Sequence, residues 1–195
     1  MTSTLSPVAY RAYFEKGVSY EQYLHNFEAD IALGEAAPYH QYLPMNHQRV
    51  VRIYKNFAIN ADLQAKIEAL EQPLHWLVIS EPWCGDASQI VPVLARIAEA
   101  SNGKIGFKIA YRDQNLELID AHLTGTSRSI PKLVQLDADF NPLADWGACP
   151  QAAQDLVVAL KSNPETAATY SDELHKWYAK DKQTAIQAEI MALLG

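Results

Sequence analysis

The sequence predicts an α/β fold, a sandwich of helices around a central mixed sheet, with a helical extension in front and a long helix behind. Three observations carry this expectation. A continuous apolar run over 74–79 leads through Glu81-Pro82-Trp83-Cys84-Gly85-Asp86 into a segment with Ile90, Val93, Leu94 and Ile97 at helical spacing. That order reads as strand, tight turn, helix. Ile105, Phe107, Ile109 and Tyr111 then alternate as in a second strand. Beyond it lie a short helical stretch, two strands joined by a polar hairpin and a further helix, so parallel and antiparallel pairs are expected in one sheet.

Each element has its own signal. Residues 1–72 read as a helical extension packed on the main domain, and 73–195 as that domain. Ser19 caps a helix carrying Tyr20, Tyr23, Leu24 and Phe27, and Pro38 and Pro44 punctuate a loop over 36–44. Asn46 is expected to cap a second helix with Val50, Ile53, Tyr54 and Phe57 on one face. A third amphipathic stretch (Leu63, Ile67, Leu70) ends at Pro73. These aromatic and aliphatic side chains are expected to form a packing face. The first strand covers 74–80, the first domain helix 86–100 with Gly103 past its end, and the second strand 105–111. A short helix over 116–123, strands over 132–136 and 142–146 around a turn at 137–141, and a helix over 150–160 follow. The last helix is expected over 171–194, with Ser171 as its cap and Asp172 and Glu173 complementing the dipole of its first turn.

Composition narrows the function. The 195 residues are 49% hydrophobic and 20% charged, ordinary globular usage. A formal net charge of -7 argues against nucleic acid as a partner, because phosphate binding needs a basic surface. No apolar run approaches a membrane span. Met1 to Tyr10 lacks the basic start and apolar centre of a signal peptide, and two cysteines make no secreted disulfide framework, so the cytoplasm is the expected location. The six histidines show no metal-ligand spacing, and His75 reads as a satisfied core histidine. No cofactor is expected.

Chemistry concentrates at Cys84. A helix N-terminus, with unpaired N–H groups and the positive end of the dipole, favours a thiolate. With Trp83 and Gly85 on either side and a helix start behind it, Cys84 reads as an accessible thiol, the alternative being an inert buried one. Asp86 opposes the thiolate by its charge, or serves only as a first-turn acid. Ser88 either donates to the sulfur or is simply a helix residue. Ala87 stands where a second cysteine would complete a Cys-x-x-Cys dithiol, and Cys149, the one other thiol, reads either as a small core residue or as a displaced second thiol. A disulfide between Cys84 and Cys149 would need Cα atoms within about 7 Å.

Trp83-Cys84-Gly85 resembles the active site of the thioredoxin superfamily. Pro92, eight residues after Cys84, stands where that family often has a helix-kinking proline, and Ile130-Pro131 precedes a strand where the family has a cis-proline. Trp146-Gly147-Ala148 matches its small-residue turn. Over about 74–162, with extra N-terminal helices and a Cys-Gly-Asp-Ala turn, the chain looks most like a bacterial branch of thioredoxin-like proteins. The resemblance implies a thioredoxin-like sandwich with a substrate groove formed by Trp83, Gly85, Asp86, Ala87, Ile130, Pro131 and Gly147 around a catalytic Cys84. It implies protein or low-molecular-weight thiols and disulfides as partners. Two departures bear on activity: Ala87 cannot resolve a mixed disulfide, and Val78 stands where thioredoxins bury an acid. The function expected is single-thiol disulfide exchange, with an external thiol as resolver. The alternative is a redox-degenerate module that holds an extended peptide or partner protein without catalysis. A monothiol glutaredoxin-like protein using glutathione, with or without an iron–sulfur cluster, fits less well. That motif has serine three residues after the cysteine, whereas Ser88 is four away. Substrate, reductant and oligomeric state are not fixed by the sequence.

Overall fold

The structure, a computed structural model, describes residues 5–195, so residues 1–4 of the expected extension lie outside the described residues. Four strands, β1 (Leu74–Ser80), β2 (Ile105–Tyr111), β3 (Lys132–Leu136) and β4 (Pro142–Gly147), form one sheet in the order β2-β1-β3-β4. β1 pairs parallel with β2 and antiparallel with β3, and β3 pairs antiparallel with β4. The fold is therefore the expected mixed α/β sandwich. β1 and β3 are almost wholly buried, in keeping with the apolar run of β1, and β4 lies at an exposed edge.

Register places the site. Ile79 pairs with Lys132, and Lys132 with Gly147, so the end of β1, the start of β3 and the end of β4 lie side by side. The chain leaves or enters the sheet at that row through Glu81–Asp86, Ile130-Pro131 and Gly147–Cys149. Antiparallel pairing thus gathers three segments far apart in sequence at one end of the sheet.

Four helices precede the sheet: α1 (Pro7–Lys16), α2 (Tyr20–Ala32), α3 (Leu43–Asn56) and α4 (Ala61–Glu68). Ser6, Ser19 and Asn60 cap α1, α2 and α4, each accepting a backbone N–H three residues on. Tyr20, Tyr23, Phe27, Val50, Ile53, Leu63 and Ile67 share one buried core with β1 and with α5 (Gly85–Ala100), against which α3 packs. Val18 exchanges two 2.9 Å backbone hydrogen bonds with Ile109, so the α1–α2 link covers the open edge of β2.

Several expectations are corrected. Asn46 caps nothing: α3 begins at Leu43, and Asn46 lies inside it, 2% exposed. The 36–44 loop contains a 3-10 turn at His40–Tyr42. The helix expected over 116–123 stops at Asp120 (α6, Leu116–Asp120). Behind α7 (Gln151–Ser162), the single expected last helix is two, α8 (Tyr170–Asp181) and α9 (Thr184–Leu193). They are broken where Lys182 and Gln183 both adopt left-handed backbone. Ser171 is a helix residue, because α8 already begins at Tyr170. His75 is half-buried and only partly satisfied: its ring stacks on Phe140 at 4.2 Å, and its Nδ1 has no partner among the described residues.

Candidate functional site

Cys84 is the N-cap of α5. Its sulfur accepts the Ala87 N–H at 3.5 Å and its S–H donates to the Ile130 carbonyl at 3.3 Å. The dipole end is therefore in place, yet Cys84 is only 8% exposed, which corrects the expectation of an accessible thiol. Burial, and then the charge of Asp86, push its pKa up to about 12. The Ala87 and Asp86 N–H groups and the Arg112 guanidinium pull the other way and lose. A helix N-terminus is worth roughly 0.3–1 kcal/mol at a surface and up to about 2 in partly buried geometries, too little to offset desolvation of a thiolate.

Asp86 accepts a 2.6 Å hydrogen bond from the Tyr178 hydroxyl. Burial raises its pKa to about 6, against the opposing pull of that bond and of Lys161. It is therefore mostly ionised at neutral pH and opposes the thiolate. Ser88 donates to the Gly85 carbonyl at 2.6 Å, so it is a helix residue and leaves the sulfur alone. Ala87 is buried in the core.

Ile130-Pro131 faces the thiol through the Ile130 carbonyl, and the Ile130–Pro131 and Gly147–Ala148 peptide bonds are both cis. Gly147 has φ +121°, and a Cβ there would collide with the Pro131 carbonyl oxygen, so only glycine lets the two segments touch. Behind this contact the buried Lys132 ammonium donates to the Gly147 carbonyl at 3.3 Å and lies 3.6 Å from Asp145. Asp145 in turn meets His122 at 3.0 Å, and His122 meets the Tyr10 hydroxyl at 2.8 Å. His122 and Lys132 hold the Asp145 carboxyl below its ordinary range. A polar chain thus runs from α1 to the site turn.

Cys149 is a free thiol, 7% exposed, and lines the same cavity as Cys84, about 360 Å³ in volume, together with Arg112, Ile130 and Lys161. Burial, then Asp86 and Glu189, push its pKa up to about 12. A second, open cleft of about 650 Å³ meets Cys84 from the other side, walled by Tyr39, Tyr42, Trp83, Gly85 and Tyr170. Trp83 is half-buried between the Tyr39 ring, at 4.9 Å, and the Arg112 guanidinium, at 4.7 Å. The expected groove residues other than Ala87 therefore converge on the thiol, Gly147 through Pro131.

Sequence reasoning missed the residues contributed by distant elements. Asn46 donates to the Pro82 carbonyl at 3.2 Å, tying α3 to the turn that carries Cys84. His175 packs so tightly on Gly85 that a Cβ there would lie 3.0 Å from its Nε2. Burial and then Arg49 lower its pKa to about 4, so it is neutral at physiological pH. Glu81 is buried, accepts the Asp113 N–H at 2.8 Å and is raised by burial to about 7. No cluster of three metal-ligating side chains occurs among the described residues, and no helix among them is long and apolar enough to cross a membrane.

A family model described as thioredoxin matches residues 34–185. Among solved structures, a Pseudomonas aeruginosa protein of unknown function is similar at TM-score 0.64 and 19% identity, covering 93% of each chain. An HIV epitope-scaffold is similar at TM-score 0.64 and 17% identity, covering 95% of this chain and 96% of its own. At these identities the two structures speak for the fold alone. No curated protein sequence matches the chain.

Proposed function

Because the chain belongs to the thioredoxin family, we propose that it is a single-thiol exchange protein that forms slow, long-lived mixed disulfides through Cys84. The observation that carries this reading is the position of Cys84, capping α5 against the Ile130 carbonyl where two cavities meet. The Cys84 thiolate attacks one sulfur of a disulfide, forming a Cys84–S–S–R bond and expelling the other half as a thiolate. An external thiol later attacks that bond, regenerating Cys84 and leaving with R as a new disulfide. Cys84 is the catalytic residue, and Trp83, Gly85, Asp86, Ile130, Pro131 and Gly147 shape the groove.

The raised thiol pKa sets the tempo. At pH 7 a thiol with a pKa of about 12 is ionised in only one molecule in roughly 10⁵, so attack is slow. Such a thiol is also a poor leaving group, and burial shields its sulfur, so the mixed disulfide persists once formed. The same burial favours a second reading, a groove that holds an extended partner without exchange. Partners on either reading are proteins or small molecules with thiols or disulfides, and the function requires no cofactor. The test is insulin reduction with dithiothreitol, together with intact-mass detection of adducts. Turnover far below that of a dithiol thioredoxin and a one-to-one adduct on Cys84 are expected. Ordinary dithiol turnover surviving Cys149→Ser contradicts the proposal. Binding of a disulfide peptide without any adduct supports the second reading.

A further inference from the structure

We propose that the open cleft beside Cys84 is built for a small, carboxylate-bearing disulfide, with Arg49 as the residue that binds its carboxylate. This deepens the exchange reading and rests on it for the identity of the ligand's reactive bond. Arg49 projects from α3 into the 650 Å³ cleft that also contains Cys84, Gly85 and Trp83. A cavity of that volume suits a drug-sized molecule rather than a folded protein surface. Its walls are aromatic (Tyr39, Tyr42, Tyr170), and among the described residues lining it Arg49 is the one permanent cation.

The placement of that cation is specific. Arg49 Nη1 donates to the Asn46 Oδ1 at 3.0 Å, and Asn46 Nδ2 donates to the Pro82 carbonyl at 3.2 Å. The guanidinium is thereby fixed relative to the turn that carries Cys84. Its one side-chain partner among the described residues is this neutral amide: Arg49 forms no ion pair with any of them, although Asp172 lines the same cleft. The two cations that line the smaller cavity beside Cys84 differ in this respect: Arg112 is already held by Asp113 at 2.7 Å, and the Lys161 ammonium lies 4.2 Å over the Tyr170 ring. His175, also in the cleft, is kept neutral by its surroundings. A half-buried guanidinium with unused donors matches the two oxygens of a carboxylate, and it must offset Asp86 and Asp172, which line the same cleft and oppose an anion there. In a chain of net charge -7, it supplies local attraction for an anion where the field of the whole molecule opposes one.

The experiment pairs 5,5′-dithiobis(2-nitrobenzoate), a dianionic aromatic disulfide, with 4,4′-dithiodipyridine, its neutral counterpart. Calorimetric titration at pH 6, where both thiols are protonated, measures binding, and labelling at pH 9 with mass-spectrometric mapping measures exchange at Cys84. The wild type is expected to bind the dianion at least tenfold more tightly than the neutral probe. Arg49→Gln is expected to lower that preference about tenfold, with Arg49→Lys between the two. Equal binding of both probes, or a preference unchanged in a folded Arg49→Gln protein, overturns the inference. The two claims fail separately. Selective binding with no label on Cys84 supports the Arg49 site and defeats the exchange reading, whereas labelling without any charge preference does the reverse. Should Arg49→Gln unfold, Asn46→Ser, which frees the guanidinium from the turn, is expected to weaken the preference at least threefold, and an unchanged preference there likewise overturns the inference.

Discussion

At the scale of single residues, the balance at Cys84 decides the chemistry. The helix N-terminus and Arg112 favour a thiolate, whereas burial and Asp86 oppose it, and the opposition wins. Asp86 is the one opposing residue that can be changed without opening the core, because an asparagine in its place keeps an oxygen for the Tyr178 hydroxyl. Asp86→Asn is therefore expected to lower the Cys84 pKa and to raise its iodoacetamide alkylation rate at pH 9 by about three- to tenfold, since each tenfold corresponds to about 1.4 kcal/mol. An unchanged rate in the folded variant means that the carboxylate does not act on the sulfur.

At the scale of elements, the contact between the β4 end and the β3 start holds the groove together. Gly147→Ala adds a Cβ at a positive φ and against the Pro131 carbonyl. A loss of at least about 1–3 kcal/mol, read by urea denaturation, is expected. Stability within a few tenths of wild type would show that the contact yields easily. How much of this was legible follows from how the elements are specified. β1, β2, β3 and α5 announce themselves by local pattern, whereas Pro131, Gly147 and Cys84 are grouped only through the resemblance to thioredoxins. The errors lie where tertiary contact overrides local chemistry. Asn46 has the side chain of a cap, but its amide serves Pro82 from inside a helix. Lys182 and Gln183 carry no glycine signal for the break between α8 and α9. Lys132, a charged residue opening a strand, is buried because Asp145 and the Gly147 carbonyl receive it. None of Arg49, His175 or Tyr178 has a sequence signal, because each reaches the site from a helix whose docking only the fold determines.

At the scale of the whole molecule, α1 to α4 share a core with the sheet, and we infer that residues 1–72 form a packed extension and 73–195 the main domain. Removing residues 1–72 would bare the β2 edge at Ile109 and the α5 face that α3 covers. The truncated protein is expected to aggregate or to melt at lower temperature. A soluble product of unchanged melting temperature would make the extension a separate module. Stability also depends on pH through the buried acids. The folded pKa values of Glu81, about 7, and Asp86, about 6, lie above those of an unfolded chain, so the folded state holds extra protons and each group destabilises as pH rises from about 4 through those values. His175, lowered to about 4, acts oppositely below about pH 6.5. The Glu81→Gln, Asp86→Asn double variant is therefore expected to gain stability over wild type progressively between pH 4 and pH 8, in thermal melts at matched ionic strength. A constant offset across that range would refute the linkage.

The slow exchange proposed for this site turns on Cys84 resting protonated beside its groove. The most direct measurement is the iodoacetamide alkylation rate of Cys84, mapped by mass spectrometry, from pH 6 to pH 10. Slow labelling whose rate climbs about tenfold per pH unit without levelling off is the predicted result. A rate that has already reached a plateau near neutral pH would mean that the helix N-terminus outweighs burial and Asp86, and would contradict a protonated resting thiol.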